Sequence, residues 1–552
     1  MARRHLAVVL LAFVTALSTA SMSSAAPRTG PPSIDNAVQV TGDPGASRAH
    51  TAPVLAVDPR DSKVIALAEA DVYSSQCSVH ISTNGGLSWS PAARPTLPAE
   101  YPNCSFVYFG PVVDITFASD GTLFYALSGY NPVTKKGRVY LARSSDLGST
   151  WDTAALPWIA PNADKGELGI DAGPSVAVDP NDPKRVAVGW GSNWASYTLT
   201  PEVMGGKLYY WDVIERVYAS VSADGGRTFG DAVNLGDGLR ISPAAEGVKP
   251  PPQVMFGNDG QVYGVFGEYS RAGTRDDRTG QAPPAKVYFA TSTDGGKTYE
   301  KKAIFTGPQP TATSDWTWVP RGVVDRKTGN IVVAWENMSA ADDAVEISAI
   351  RSADGGKTWS TPVKASDDTP KRKWNYPEAY PSIAMAPDGR VDLVWYDGRN
   401  DPTFVDGARS YKFQDVYYSY STDGGATWAP NLRVNDRAID RRFGPSTQGG
   451  IRGPAGLASL DSGAYLAWDD SRNGTPENAS QDIYFTRARI APVTEFFGAS
   501  SGGGTSSLAW AFLGAAIALA VGGLALVAVV GTNRRRQAAA APAKPQVGAG
   551  VG

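Results

Sequence analysis

Short apolar runs, rather than long amphipathic stretches, organise most of this chain. They come in pairs: 53–58 (PVLAVD) with 64–68 (VIALA), 111–118 with 123–127, 174–179 with 186–190, and 252–257 with 262–266. The series continues with 320–325 and 331–335, 381–386 and 391–395, and 454–460 and 464–468. The first run of each pair has a Pro near its start, and the second ends at an aromatic or acidic residue. A third run follows each pair, as in 415–420 (DVYYSY). Runs of this length, rich in β-branched and aromatic residues and bounded by Gly, Pro and Asp, read as strands. A content of 59 Gly and 40 Pro suits an all-β fold of many short strands and turns.

One turn motif recurs after the third runs. It reads STNGGLSW at 82–89, SSDLGSTW at 144–151, SADGGRTF at 222–229, STDGGKTY at 292–299, SADGGKTW at 352–359 and STDGGATW at 421–428. An Asp whose carboxylate accepts its own loop's N–H groups, followed by Gly free to take positive φ, makes a self-capped hairpin. The closing aromatic is then aimed in one direction and is expected to be buried between neighbouring sheets. Spacings of 60 to 78 residues suit four-stranded propeller blades. The motif is that of the Asp-box (BNR) repeat, and over residues 35–490 the chain resembles the Asp-box β-propellers, a group that includes the sialidases. Copy one has Asn84 for Asp and copy two has Leu147 for Gly, while the fifth position stays Gly throughout.

The last unit, with its third run at 482–486, has no box after it and lacks a fourth strand. Residues 36–41 (NAVQVT) have the form of the fourth strands at 231–235, 361–365 and 431–435. Pairing them with the last unit removes an exposed edge. The expectation is a propeller of seven four-stranded blades closed by an N-terminal strand, with a six-bladed, sialidase-like ring as the alternative.

The chain ends change the picture of where this propeller works. Arg3 and Arg4, an apolar run at 6–17 and small residues at 24–26 have the three parts of a secretory signal peptide, residues 1–26. A Gly/Ser-rich linker (491–507) leads to 23 uncharged, mostly apolar residues at 508–530, followed at once by Arg534, Arg535 and Arg536. That pattern predicts one C-terminal transmembrane helix in a lipid bilayer, a propeller outside the cell membrane and a low-complexity cytoplasmic tail at 531–552. Export makes a disulfide between Cys77 and Cys104 the expected state of the only cysteines; it would contribute roughly 3 kcal/mol by loop entropy.

A net charge of −3 gives no reason to expect a nucleic-acid partner. Beyond the signal segment only His50 and His80 are present, too few for a histidine-rich metal site, and no calcium-loop spacing occurs. No metal or cofactor is expected.

In such a propeller the loops from strand two to three and from strand four to the next strand one share the ligand face. The second strands end there in Asp71, Glu268, Glu336, Asp397 with Arg399, and Asp470 with Arg472, several beside aromatic residues. Rings stack on sugar C–H faces and charged groups bond hydroxyls or acids, so these are candidate ligand-binding residues. Each Asp-x-Arg pair can equally brace its own loop.

The sialidase resemblance implies a triad of Arg, a Tyr activated by a Glu, and an acid/base Asp. Thr51 stands where the family's first Arg belongs. Arg452, two residues before Pro454, and Arg321, directly after Pro320, offer the charge elsewhere in the ring. With Tyr380, Glu378 and Asp71 they form the candidate catalytic set. Two functions therefore remain: a surface module that recognises glycan or another extracellular ligand, or a sialidase-like exo-glycosidase (exo-α-sialidase) acting on a terminal acidic sugar.

Overall fold

The computed structural model describes residues 32–42, 48–104, 113–134, 136–158, 167–196, 202–204, 207–209, 213–236, 247–248, 251–270, 285–307, 320–338, 345–368, 378–403, 412–444 and 453–490. Among these the architecture is all-β, without a helix. The proposed signal and transmembrane segments lie outside the described residues, and among those described no helix is long and apolar enough to cross a membrane.

The strands pair as successive antiparallel meanders, two of them joined by one parallel pairing of Ile170 with Gly137. Sheet A comprises His50–Val57, Ile65–Asp71 and Gln76–Ser82, extended by a bridge from Val79 to Ala93. Sheet B runs Val113–Phe117, Leu123–Asn131, Lys136–Ser144 and Asp152–Ala155. Sheet C runs Glu167–Asp179, Asp182–Ser196, Val213–Ser222 and Val233–Asn234. Sheet D runs Gln253–Phe256, Val262–Ser270, Lys286–Ser292 and Glu300–Thr306. Sheet E runs Arg321–Val324, Ile331–Met338, Val345–Ser352 and Val363–Lys364. Sheet F runs Glu378–Met385, Val391–Asp397, Phe413–Ser421 and Leu432–Arg433. Sheet G runs Gly456–Leu460, Gly463–Asp470 and Asp482–Arg489, and its outer edge is filled by Ser33–Ile34 and Val38–Gln39 from the other end of the chain. Those edge pairs leave the last strand no open side on which another chain could add.

The boxes are closed as their sequence demands. In the last copy Ser421 Oγ donates to Asp423 Oδ1 at 2.8 Å and accepts from Gly425 N at 2.8 Å. Asp423 also accepts from Thr427 N at 2.9 Å and Thr427 Oγ1 at 2.6 Å. Asn84 of copy one reproduces part of this by accepting from Ser88 N at 3.0 Å. Each hairpin leans on the sheet before it. A Cβ on Gly356 of sheet E would lie 2.4 Å from Phe289 of sheet D, and one on Gly86 of sheet A would lie 2.0 Å from Phe485 of sheet G. Trp89 meets the same Phe485 ring edge-on at 5.1 Å. The closing aromatics, expected to be buried, are only half-buried: each covers its neighbour's edge while one side faces solvent.

Most of the fully buried aromatics belong to the second strands. Counting from the residue opposite each box serine, the fifth position holds Trp190, Phe266, Trp335 and Trp395 in sheets C to F, and sheet G has Trp468 in the same place. Most stack on a tyrosine of the third strand: Trp190 on Tyr218 at 5.8 Å, Phe266 on Tyr288 at 5.2 Å, and Trp468 on Tyr484 at 6.3 Å. Such pairs, cross-strand partners within one sheet, contribute beyond the area they bury. Apolar clusters bridge each sheet to the next, and one of them joins Leu55 and Leu67 of sheet A to Tyr465 and Phe485 of sheet G.

Cys77 and Cys104 are bonded, as expected. The bridge fixes Asn103–Cys104 as an added edge along Leu123–Asn131 of sheet B.

Candidate functional site

The first strands of sheets A to G converge on one cavity of about 170 Å³. Their polar side chains mostly stitch one sheet to another. Asp114 Oδ2 of sheet B accepts from Val176 N of sheet C at 2.8 Å. Ser175 Oγ donates to Pro252 O at 2.8 Å, and Gln253 Oε1 of sheet D accepts from Gly322 N of sheet E at 2.6 Å. Ser382 Oγ of sheet F donates to Ala455 O beside sheet G at 2.7 Å.

Arg321 breaks the series. It is buried against the cavity, and its Nη2 has no hydrogen-bond partner among the described residues. Burial lowers its pKa to about 10, a shift that the charge of Asp114 opposes. Burial raises the Asp114 carboxyl to about 6 despite its backbone donors and the charge of Arg321. A buried cation with an unfilled donor, next to an acid that loses its charge in mildly acidic solution, is suited to receiving an anion or a hydroxyl-rich ligand.

Beside it, Glu336 of sheet E accepts from Tyr380 N of sheet F at 2.5 Å. Burial pushes the Glu336 carboxyl up to about 8, so it is largely protonated at neutral pH. Tyr380 has φ 54°, in the left-handed region, directly before Pro381. That conformation costs a non-glycine residue about 1–2 kcal/mol, and Glu336 holds it. Ala52 before Pro53 repeats the geometry, with φ 53°.

The other sequence-derived candidates fall in different places. Arg452 lies outside the described residues. Glu378 is placed by its backbone, opposite Asp397. Asp71 binds its own turn, accepting from Ala49 N, Tyr73 N and Ser74 Oγ. Asp397 accepts from Arg399 N at 2.7 Å and Trp395 Nε1 at 3.1 Å, and Arg399 bonds Asp367 and lies 4.0 Å over the Tyr417 ring. Asp470 and Arg472 repeat this with Trp468, Asp436 and Tyr484. Both Asp-x-Arg units are loop braces. Their tryptophans, read from the sequence as rings for sugar stacking, are fully buried and unavailable to a ligand. Glu268 accepts from Tyr288 OH at 2.9 Å. The structure thus brings Arg321, Glu336 and Tyr380 to neighbouring strands and leaves Asp71 engaged elsewhere.

Two polar groupings escaped the sequence reading. Sheet A has Glu69, opposite Ser78, where sheets C to G have their buried aromatic. Glu69 Oε2 lies 2.8 Å from His50 Nδ1, and Oε1 lies 3.7 Å from His80 Nε2. Burial opposes its ionisation, but the charge and hydrogen bond of His50, with the nearby His80, hold the carboxyl down at about 2. Aligning the units on their box serines would have exposed this departure. The second grouping centres on Asp469 of sheet G, which accepts from Tyr396 OH at 2.5 Å, Arg441 Nη2 at 3.1 Å, Gln481 Nε2 at 2.8 Å and Thr51 Oγ1 at 3.2 Å. Nothing local in the sequence of Arg441 marks it as buried.

Box turns that clamp antiparallel sheets around a polar-lined cavity give the chain the architecture of an Asp-box β-propeller, and its comparisons are with proteins of that kind. Over 169 residues it is 30% identical to a sialidase of Bacteroides fragilis (strain YCH46), a match covering 26% of this chain and 28% of that protein. The matched stretch is thus well under a third of that relative's length. Among solved structures it is similar to the Hadza microbial sialidase Hz136, with TM-score 0.41 and 15% identity over 79% of this chain and 75% of that one. It is also similar to a Penicillium chrysogenum α-L-arabinanase complexed with arabinobiose, with TM-score 0.41 and 11% identity over 84% of this chain and 99% of that one. No protein-family model matches the chain.

Proposed function

We propose that this protein is a seven-bladed propeller, held outside the cell membrane by residues 508–530, that recognises a glycan or another surface ligand at the mouth of its channel. The observation that carries the reading is Arg321: a buried guanidinium with an unpartnered Nη2, in a cavity whose other polar groups are mostly satisfied. The blade count rests on sheets A to G and on the N-terminal strands that fill the edge of sheet G. The membrane reading rests on the uncharged run at 508–530 and the three arginines beyond it.

An anionic ligand would bind more tightly as pH falls through about 6, because Asp114 then ceases to compete for Arg321. The test is a glycan array probed with the full-length protein and with Arg321→Gln and Arg321→Lys. Loss of binding in the first and partial retention in the second supports the reading. Equal binding by all three proteins, or no binding across the array, sinks it.

The alternative, a sialidase-like exo-glycosidase, is favoured by one feature: the strained Tyr380, held through its backbone N–H by Glu336, one sheet from Arg321. Incubation with fluorogenic sialosides and other glycosides, with Arg452→Ala as control, decides between the two. Turnover abolished by that substitution would replace the binding reading with an enzyme that holds an acidic sugar through Arg452.

A further inference from the structure

A second cavity, of about 480 Å³, opens on the opposite face, where the box hairpin of sheet B meets sheet C. Its volume is in the range of small-ligand sites. Three basic residues line it: Arg143, just before the box serine of sheet B; Lys184, near the start of the second strand of sheet C; and Arg227, in the box of sheet C. Trp151, half-buried and held against Tyr125 at 5.9 Å between ring centroids, forms another wall. Two carboxylates are present: Asp152 is paired with Arg143, and Asp120 lies at the rim.

The repeat shows that this arrangement is not a by-product of the fold. At the junction of sheets A and B the three equivalent positions are Ile81, Gly121 and Ser149; between C and D they are Val221, Gly260 and Lys297. Between D and E they are Thr291, Gly329 and Lys357, and between E and F they are Arg351, Gly389 and Ala426. Only the junction of B and C, among those bounded by two boxes, is basic at all three. Among the described residues neither the Lys184 nor the Arg227 side chain is in an ion pair; Arg227 Nη1 donates to its own loop, to Asp224 O at 2.9 Å, which leaves the guanidinium's charge and its other donors for a ligand on a chain whose net charge is negative.

We propose that this cleft binds an acidic oligosaccharide: uronate carboxylates pair with Lys184 and Arg227, and one sugar ring lies on Trp151. The chemistry matches point by point, since guanidinium and ammonium groups bond carboxylates and an indole face takes the C–H side of a pyranose. Polyphosphate chains are a poorer fit, because they would leave the indole without a partner. The inference does not depend on the channel site.

The test measures binding of hexagalacturonate, with maltohexaose as the neutral control, to the full-length protein by calorimetry. The double variant Lys184→Glu with Arg227→Glu should weaken hexagalacturonate binding about tenfold or more, and raised salt should weaken wild-type binding likewise. Both side chains are exposed, so the variant's melting curve should match wild type and confirm that the fold is intact. Arg321→Gln should leave this binding unchanged, which separates failure here from failure of the channel reading. Unchanged affinity in the double variant, equal binding of maltohexaose, or no binding of hexagalacturonate at millimolar concentration would each overturn the proposal.

Discussion

Replacing Asp469 by Asn isolates how much of the propeller's stability rests on one buried charge. Asp469 and Arg441 are 1% and 2% exposed, and Tyr396, Gln481 and Thr51 also donate to this carboxylate. The amide keeps the shape but removes the negative charge, and one of its polar positions becomes a donor facing other donors. Breaking a buried ion pair from one side costs about 3–5 kcal/mol. Residues 32–490 number about 460; at about 2.1 cal/mol/K per residue the unfolding entropy is of order 1 kcal/mol/K, so Tm should fall by about 3–5 °C. Differential scanning calorimetry at neutral pH measures this directly. Asp469→Leu combined with Arg441→Met should recover only part of the loss, because it removes the unpaired charge but leaves Tyr396, Gln481 and Thr51 without their acceptor. A Tm within about 1 °C of wild type for Asp469→Asn would refute the argument that an unpaired Arg441 is costly here.

Three further outcomes are expected. Glu69 has a folded pKa of about 2 against an ordinary 4.5, so its contribution, of order 3 kcal/mol, is present above pH 4.5 and fades as pH falls towards 2; Glu69→Gln should flatten that part of the stability profile in urea titrations, and an unchanged acid limb would contradict it. Gly86→Ala should destabilise more than Gly424→Ala, since both have positive φ but only the first drives a methyl into Phe485, whereas Gly424 has nothing within 4 Å; equal melting points would dissolve the distinction. Cys77→Ser with Cys104→Ser should lower stability by roughly 3 kcal/mol through the freed loop, read as a shift in urea midpoint.

The strands and turns were legible because each leaves a local signature: Pro at the start of the inner run, Ser and Gly at fixed offsets in the box, alternating apolar residues between. Even the edge strand of sheet G could be read, since 36–41 has the form of the fourth strands. The site was legible only in part. Arg321 stood out by its place after Pro320, but its unpartnered nitrogen depends on what six other first strands present to it. The Asp-x-Arg units looked alike as ligand groups or as braces, and only the burial of Trp395 and Trp468 beneath them decides for the brace. Arg441 pairs with a residue 28 positions away, a separation that no local pattern encodes.

The backward lean of each box hairpin also sets an order of assembly. The aromatic ring that receives Gly86 and Trp89 is Phe485, made about 400 residues later. At 5–20 residues per second the first sheet waits on the order of 20–80 s for its own support. Sheets B to F can dock as they emerge, each onto a neighbour already present, but sheet A and the strands at 33–39 must stay uncommitted until the last strand arrives. A nascent chain of this protein therefore carries its most vulnerable surface at its oldest end, and it is there that a holding chaperone would be needed.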